Sequence, residues 1–459
     1  MDELTALGAG AIASLVAAGE VSRREVALAH LERIEAEEPR IGAFSARRVP
    51  EQVLAEASRA DERSSDGRPR PLDGVPVVVK ETFDVAGLAS TEGVRARAAN
   101  RAAADAIAPA RLRAAGALIL GKGKQPDFKS RWNTVSELHG VTRNPSDPSR
   151  TAGGSSGGDA AAVAAGFSAA GLGSDFGGSI RVPAAFCGVS GIRTSPGLIP
   201  DGAPAGASIT AAMSSLGPIA RAVDDLRLLV SVLADPPPGA PAGVPPRAPR
   251  RVARLCAQLG AVVDPALIER LDVTCAAFAD AGYEVVEAEI PGGERLPDLF
   301  GELVGTDVLA PGSPARGGEM GVETRRYLET MFGARQLRSE AELDAARAEL
   351  ESLAATVAIW MEDHPLVVAP VAGMEAPRLD FDHALSPAGA ARLFDRMRNA
   401  TWVNLLGLPA LALPNGIQVV GRRFAEAEVL AAAATVEDAA QPPATPPIQP
   451  VDTWKVEDR

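Results

Sequence analysis

Residues Arg150 to Thr194 read RTAGGSSGGDAAAVAAGFSAAGLGSDFGGSIRVPAAFCGVSGIRT, and this stretch decides how the rest of the chain is read. Two serines, Ser155 and Ser179, each stand in a cluster of glycines, joined by a run of small residues. Glycine lets a backbone approach a ligand closely and turn its N–H groups toward it. A hydroxyl beside such a loop is the pattern of a nucleophile next to an oxyanion hole. On this stretch alone, a glycine-rich turn carrying two solvated serines fits equally well.

Upstream, the apolar run Val75-Pro76-Val77-Val78-Val79 ends in Lys80. Only five of the 46 basic residues are lysines: Lys80, Lys122, Lys124, Lys129 and Lys455. A desolvated amine can lose its proton, whereas a guanidinium effectively cannot, which makes Lys80 a candidate base. The competing reading is a strand-end lysine that snorkels to water.

The flanking pattern predicts an α/β protein. Ser22-Arg23-Arg24-Glu25 is a capping box after the stop signal Gly19, and Pro39 is expected to close the helix it starts. Further helices are expected over Pro50–Ser64, Asp105–Ala115 and Ala222–Ala234, with strands over Val75–Lys80 and Ala117–Leu120. Asp235–Pro249 (DPPPGAPAGVPPRAP) reads as a proline-rich linker inside a single domain of residues 1–437. Beyond it, strand–helix–strand spacing is expected over Val252–Cys256, Pro265–Gly282 and Tyr283–Ile290. Strands follow at Leu366–Val371, Ala410–Leu413 and Ile417–Val420. Residues 291–345 show no readable periodicity, and 438–459 reads as an extended or disordered tail.

Composition narrows the function. The chain of 459 residues carries a net charge of −13, a poor match to nucleic acid or an anionic membrane. Its first residues, MDELTALGAG, lack the basic-then-apolar order of a signal peptide, so a soluble cytoplasmic protein is expected. Cys187, Cys256 and Cys275 have no CxxC spacing and read as buried thiols. His30, His139, His364 and His383 are isolated, so neither a metal nor another cofactor is expected.

Three chemistries can be tried on these residues. Gly116 to Gly123 nearly matches a phosphate-binding loop, but Gly123 stands where a Ser or Thr must hold Mg²⁺, and the middle is an apolar strand. Gly153-Gly154-Ser155-Ser156-Gly157 fits a nucleophile elbow, with Asp380 or Asp382 and His383 in the right chain order. That elbow must follow a buried strand, and Asn144 to Ala152 is polar and interrupted by proline. The third chemistry uses no histidine. Ser179 is the nucleophile, the N–H groups around Phe176-Gly177-Gly178 receive the oxyanion, and Ser155 relays a proton to a neutral Lys80.

These residues closely resemble the amidase signature family. Gly74–Lys80 resembles its lysine strand, Thr151–Gly158 its cis-serine loop, and Gly173–Arg181 its nucleophile loop. Lys80 precedes Ser155 by 75 residues and Ser155 precedes Ser179 by 24, similar to the family's spacing. The resemblance continues through Pro183–Gly188, Leu216–Arg221 and Asn404–Pro409. It implies an α/β/α layered fold around a large mixed sheet, and a triad of Lys80, Ser155 and Ser179, with Ser155 after a cis peptide bond. It also implies oxyanion donors on the backbone of Phe176, Gly177 and Gly178, and supporting roles for Ser156, Asp175 and Arg181. The activity implied is hydrolysis of a small linear amide, with release of ammonia or an amine. The alternative is the glutaminase-type subunit of a tRNA-dependent amidotransferase; a catalytically silent scaffold is a third reading. The enzyme could act as a homodimer or with a small partner subunit.

Three departures from the family pattern bear on the substrate. Asp159 replaces a usually small residue at a helix start, where the helix dipole favours an acid. Ala369-Pro370-Val371 replaces a threonine-containing turn. Pro414–Gln418 is shorter than the usual hairpin, so an altered pocket wall is expected there, with other walls from Gly121–Arg150, residues 291–345 and the C-terminal strands.

Overall fold

Val77, Val78 and Val79 are β-branched and buried on both sides, the signature of a strand covered on two faces. They lie in β2 (Pro76–Lys80) of a computed structural model that describes residues 2–63, 69–202, 208–235, 250–337 and 339–442. In chain order its neighbours are β1 (Phe44–Arg47), β3 (Leu118–Gly123), β4 (Val135–Ser136), β5 (Gly140–Val141), β6 (Ala170–Asp175), β7 (Ser190–Arg193) and β8 (Ser215–Ala220). Then come β9 (Arg251–Arg254), β10 (Glu284–Glu287), β11 (Leu366–Pro370), β12 (Ala410–Ala412) and β13 (Ile417–Gly421). Among the described residues β4 pairs with β5, and the other eleven strands form one sheet in the order β1-β3-β2-β6-β8-β7-β12-β13-β11-β9-β10. β3, β2 and β6 run parallel, as do β11, β9 and β10, and the pairs between these two groups are antiparallel. The sheet is mixed, and the fold is α/β.

Alternation along the strands separates two cores, one on each face of the sheet. Val78, Ala369 and Val420 face a core that includes the helices Gly157–Ala164, Arg295–Val308 and Pro387–Leu405. Val77, Val79, Val368 and Val419 face a second core beneath Ala9–Ala18, Val223–Leu233, Pro265–Asp280 and Glu426–Val436. This is a helix–sheet–helix sandwich. Lys80, at the carboxyl end of β2, pairs with Gly123, and the ends of β2 and β6 lie side by side. Carboxyl ends of parallel strands are the usual place for a ligand in such sheets.

Most expected elements are present within one to three residues, and some differ. Pro39 does not end its helix, which runs Arg23–Ile41 and is closed by Gly42 at φ +67°. The ending is secured by Glu38, whose backbone carbonyl accepts from Gly42 N at 2.8 Å and whose carboxylate accepts from Ala43 N and Phe44 N. Residues 291–345 contain the helices Arg295–Val308, Pro314–Gly317 and Val322–Phe332 and the start of Glu340–Asp363. The expected extended tail begins instead with a 3₁₀ turn, Glu437–Ala440, whose Ala440 is fully buried; residues 443–459 lie outside the described residues. The linker, from residue 236 to 249, lies outside them too. No helix among the described residues is long and apolar enough to cross a membrane.

Candidate active site

Lys80 is fully buried at the end of β2. Its Nζ donates to Ser155 Oγ at 2.7 Å, to Ser174 Oγ at 3.0 Å and to Ser174 O at 3.2 Å. Burial pushes its pKa down from 10.5 to about 7; the Lys129 charge adds to this, while Asp159, Asp175 and Glu92 oppose it. Burial therefore favours the uncharged amine.

Ser155 is also fully buried, and the Gly154–Ser155 peptide is cis. Its loop is held from several sides. Thr134 Oγ1 donates to Gly153 O at 2.8 Å and accepts from Gly157 N at 3.2 Å, while Thr151 Oγ1 donates to Asn133 Oδ1 at 2.7 Å. A side chain at Gly154 would meet Arg131 O at 2.7 Å and Asn133 N at 2.8 Å, so only glycine fits there. Ser156 ties this loop to the next: its N–H donates to Ser179 O at 3.0 Å and its Oγ to Ser174 O at 3.3 Å.

The chain leaves β6 at Asp175 and turns through Phe176-Gly177-Gly178 into Ser179, which is 4% exposed. Asp175 organises that turn. Its carboxylate accepts from Gly178 N at 2.7 Å, Ile180 N at 3.1 Å, Arg181 Nε at 3.1 Å and Asn404 Nδ2 at 2.7 Å. Arg181, also fully buried, donates to Gln418 Oε1 at 2.8 Å and Asn404 Oδ1 at 2.5 Å. The Arg181 and Arg193 guanidiniums outweigh the burial of Asp175 and hold its carboxyl well below the usual carboxylate range. Asp175 and Arg181 are thus bonded to the loop and to each other. Gly178 is a correction: its N–H, expected to be an oxyanion donor, is committed to Asp175 Oδ1.

Asp159 does not use its helix start as a solvated acid would. Its side chain is buried, no other residue among those described gives either oxygen a hydrogen bond, and burial raises its pKa well above 3.8 against the opposing charge of Lys80. Gly123 on β3 makes room for that carboxyl, since a Cβ there would collide with Asp159 Oδ1. Sequence reasoning missed Ser174, which binds Lys80, although it lies in the opening stretch. It also missed Trp132, whose Nε1 donates to Gly177 O at 2.7 Å, and the distant Asn404 and Gln418. Cys187 is buried, with its thiol pushed up by desolvation, and donates to Ala152 O.

The rival chemistries find no support in the geometry. His383 lies on the surface against Glu323, and no described strand leads into Ser155. Gly116–Gly123 builds β3, and Lys122 Nζ donates to Ala89 O and Ser90 Oγ. Among the described residues no group of three or more His, Cys, Asp or Glu is placed to hold a metal.

A cavity of about 400 Å³ opens at Ser179, walled by the 129–132 segment, Phe176 and the helices Arg295–Val308 and Val322–Phe332. Two of the expected walls are therefore present. The C-terminal strands are not: Pro414 and Gly416 line a separate cavity with Asn144, Arg150 and Arg270, so the short hairpin is no wall of the Ser179 cavity.

A family model described as Amidase matches residues 25–430. The chain is 31% identical over 456 residues to the indoleacetamide hydrolase of Bradyrhizobium diazoefficiens, covering 93% of this chain and 85% of that protein. It is 42% identical over 236 residues to a glutamyl-tRNA(Gln) amidotransferase subunit of Chloroflexus aurantiacus, covering 51% of this chain and 48% of that one. Among solved structures, 6-aminohexanoate cyclic dimer hydrolase complexed with substrate matches with a TM-score of 0.80 at 26% identity, covering 97% of this chain and 99% of that one. On the strength of a family match along nearly its whole length, this chain belongs to the amidase signature family and is an amide hydrolase.

Proposed function

We propose that the chain hydrolyses the C–N bond of a small non-peptide carboxamide through an acyl-enzyme on Ser179, with Ser155 and Lys80 relaying the proton. The observation that carries this reading is the 2.7 Å contact from Lys80 Nζ to Ser155 Oγ, made by an amine whose pKa burial has lowered to about 7. Ser179 Oγ attacks the amide carbonyl while its proton passes to Ser155 Oγ, and the Ser155 proton passes to Lys80 Nζ. The negative charge on the former carbonyl oxygen is received by the backbone N–H groups of Phe176 and Gly177. The tetrahedral intermediate collapses, the C–N bond breaks, and the proton returns from Lys80 through Ser155 to the leaving amine. Water then attacks the ester by the same relay, releasing the acid and restoring Ser179. Ser156 and Ser174 position the relay, and Asp175 and Arg181 hold the turn that carries Ser179.

The test is ammonia release from a primary amide by Ser179→Ala, Ser155→Ala and Lys80→Met. Each is expected to lose about 10³-fold or more in kcat, because groups acting as one unit fail together. A Ser155→Ala or Lys80→Met enzyme with near wild-type kcat contradicts the relay. The second reading, a glutamine-hydrolysing component of an amidotransferase, draws on the 42% identity over 236 residues. Glutamine hydrolysis that begins only on adding other subunits would favour it.

A further inference from the structure

The cavity at Ser179 is lined by aromatic and aliphatic side chains: Phe176, Phe300, Val304, Leu328 and Phe332 line it, and four of these five are buried. Its polar side chains apart from Ser179 are more informative, because each already has a partner inside the protein. Trp132 Nε1 donates to Gly177 O at 2.7 Å, and Ser130 Oγ to Phe128 O at 3.1 Å. The Arg131 guanidinium is closed on Asp382, with contacts of 2.9 and 2.7 Å, both groups buried, and its flat face lies 5.1 Å from the Tyr327 ring. The Tyr327 hydroxyl is engaged by the backbone of Trp132. Lys129 Nζ donates to Thr82 Oγ1 at 3.1 Å.

Resting on the amide-hydrolase reading, we infer that the acyl group this site accepts is uncharged and apolar, with a ring or branched chain filling the aromatic-walled cavity, and that glutamine is not its substrate. A bound α-carboxylate and α-ammonium would lose their water; among the described lining residues Arg131 is already closed on Asp382, the half-buried Lys129 is the one cation left for the carboxylate, and no carboxylate faces the ammonium. Desolvating even a neutral polar group without a partner costs about 1–3 kcal/mol, and a charge costs more. An apolar acyl group has no such penalty, and it gains the burial of its own surface. The amine side of the substrate has a different exit. A second cavity of about 1310 Å³ shares Lys129, Ser130, Phe176, Val308 and Leu328 with the first. Its remaining wall mixes apolar side chains such as Phe128, Pro311 and Met320 with Ser208, Thr210 and Asp307, which bond to one another, and it gives a leaving amine a way out.

The experiment compares kcat/KM of the purified chain for phenylacetamide, hexanamide, acetamide, L-glutamine and succinamic acid. The two apolar amides are expected to exceed glutamine and succinamic acid by about 100-fold or more, the equivalent of two unpaired polar groups. Val308→Trp, which narrows the junction of the two cavities, is expected to lower phenylacetamide turnover at least tenfold while sparing acetamide. Glutamine or succinamic acid hydrolysed as well as phenylacetamide overturns the inference, and so does a Val308→Trp enzyme with an unchanged order of preference. Labelling of Ser179 by a fluorophosphonate is measured alongside. Labelling with the order reversed defeats the substrate class and leaves the hydrolase reading standing, whereas absence of both labelling and turnover defeats the hydrolase reading itself.

Discussion

At the scale of single residues, the proposed chemistry depends on keeping the fully buried Lys80 uncharged. The folded chain lowers its pKa from 10.5 to about 7, so between those values the unfolded chain binds more protons than the folded one. Stability from this group therefore rises with pH across that window, and its penalty is complete below about pH 7. Lys80→Met is expected to raise Tm relative to wild type at pH 6, with the gain shrinking toward pH 10. Equal gains at both pH values, measured by thermal denaturation, would contradict this. Lys80 was legible in the sequence because an apolar run ends on one of few lysines, and Ser155 and Ser179 because glycines crowd them. Ser174 was not, since a serine on a strand shows no sign of facing an amine until the neighbouring strand is in place. For Asp159 the sequence showed only an acid at a helix start; the packing of the helix Gly157–Ala164 against Gly123 of β3 and Gly171 of β6 reveals that it sits in the interior.

At the scale of elements, the glycines of the opening stretch serve close packing of backbones more than turning. The helix Gly157–Ala164 lies against the strand end at Lys124. A Cβ at Gly158 would collide with Lys124 N and Ala43 O, both main-chain atoms that cannot swing aside. Gly158→Ala is expected to cost about 1–3 kcal/mol of stability, read as a fall in the urea midpoint, with loss of activity as the Ser155 loop is displaced. A variant as stable and active as wild type would show that the helix can shift freely. The same packing explains why residues 291–345 were opaque. The helix Arg295–Val308 contains Pro297, Gly301 and Gly305, poor helix formers that blur the apolar period. They are there for contact: Gly301 accommodates the Phe394 ring and Gly305 the Phe332 backbone and Cβ. Tertiary packing outweighed local propensity, and a single sequence does not display that.

At the scale of the whole molecule, the proposed triad comes from one half of the chain, and the other half holds it and walls its cavity. β7 pairs with β12, which joins the two groups of strands into one sheet. Buried Arg181 and Arg193 reach across to Gln418, Asn404 and Val403 O. A fragment ending at Asp235 would leave β7 as an open edge and two buried guanidiniums short of acceptors. It is expected to aggregate and to take up no fluorophosphonate, although it contains all three residues of the proposed triad; a soluble, labelled fragment would refute this dependence. That the strands join in one large mixed sheet was expected from the family resemblance, whereas their order and the long-range partners of Arg181 were not, because nothing local marks them. The central claim is an uncharged amine at position 80 drawing a proton from Ser179 through Ser155. The most direct measurement is the rate of fluorophosphonate labelling at Ser179 from pH 5 to pH 9. The rate is predicted to rise through about pH 7, level off above it, and vanish in Lys80→Met; a rate flat down to pH 5, or an adduct on Ser155, would contradict the account.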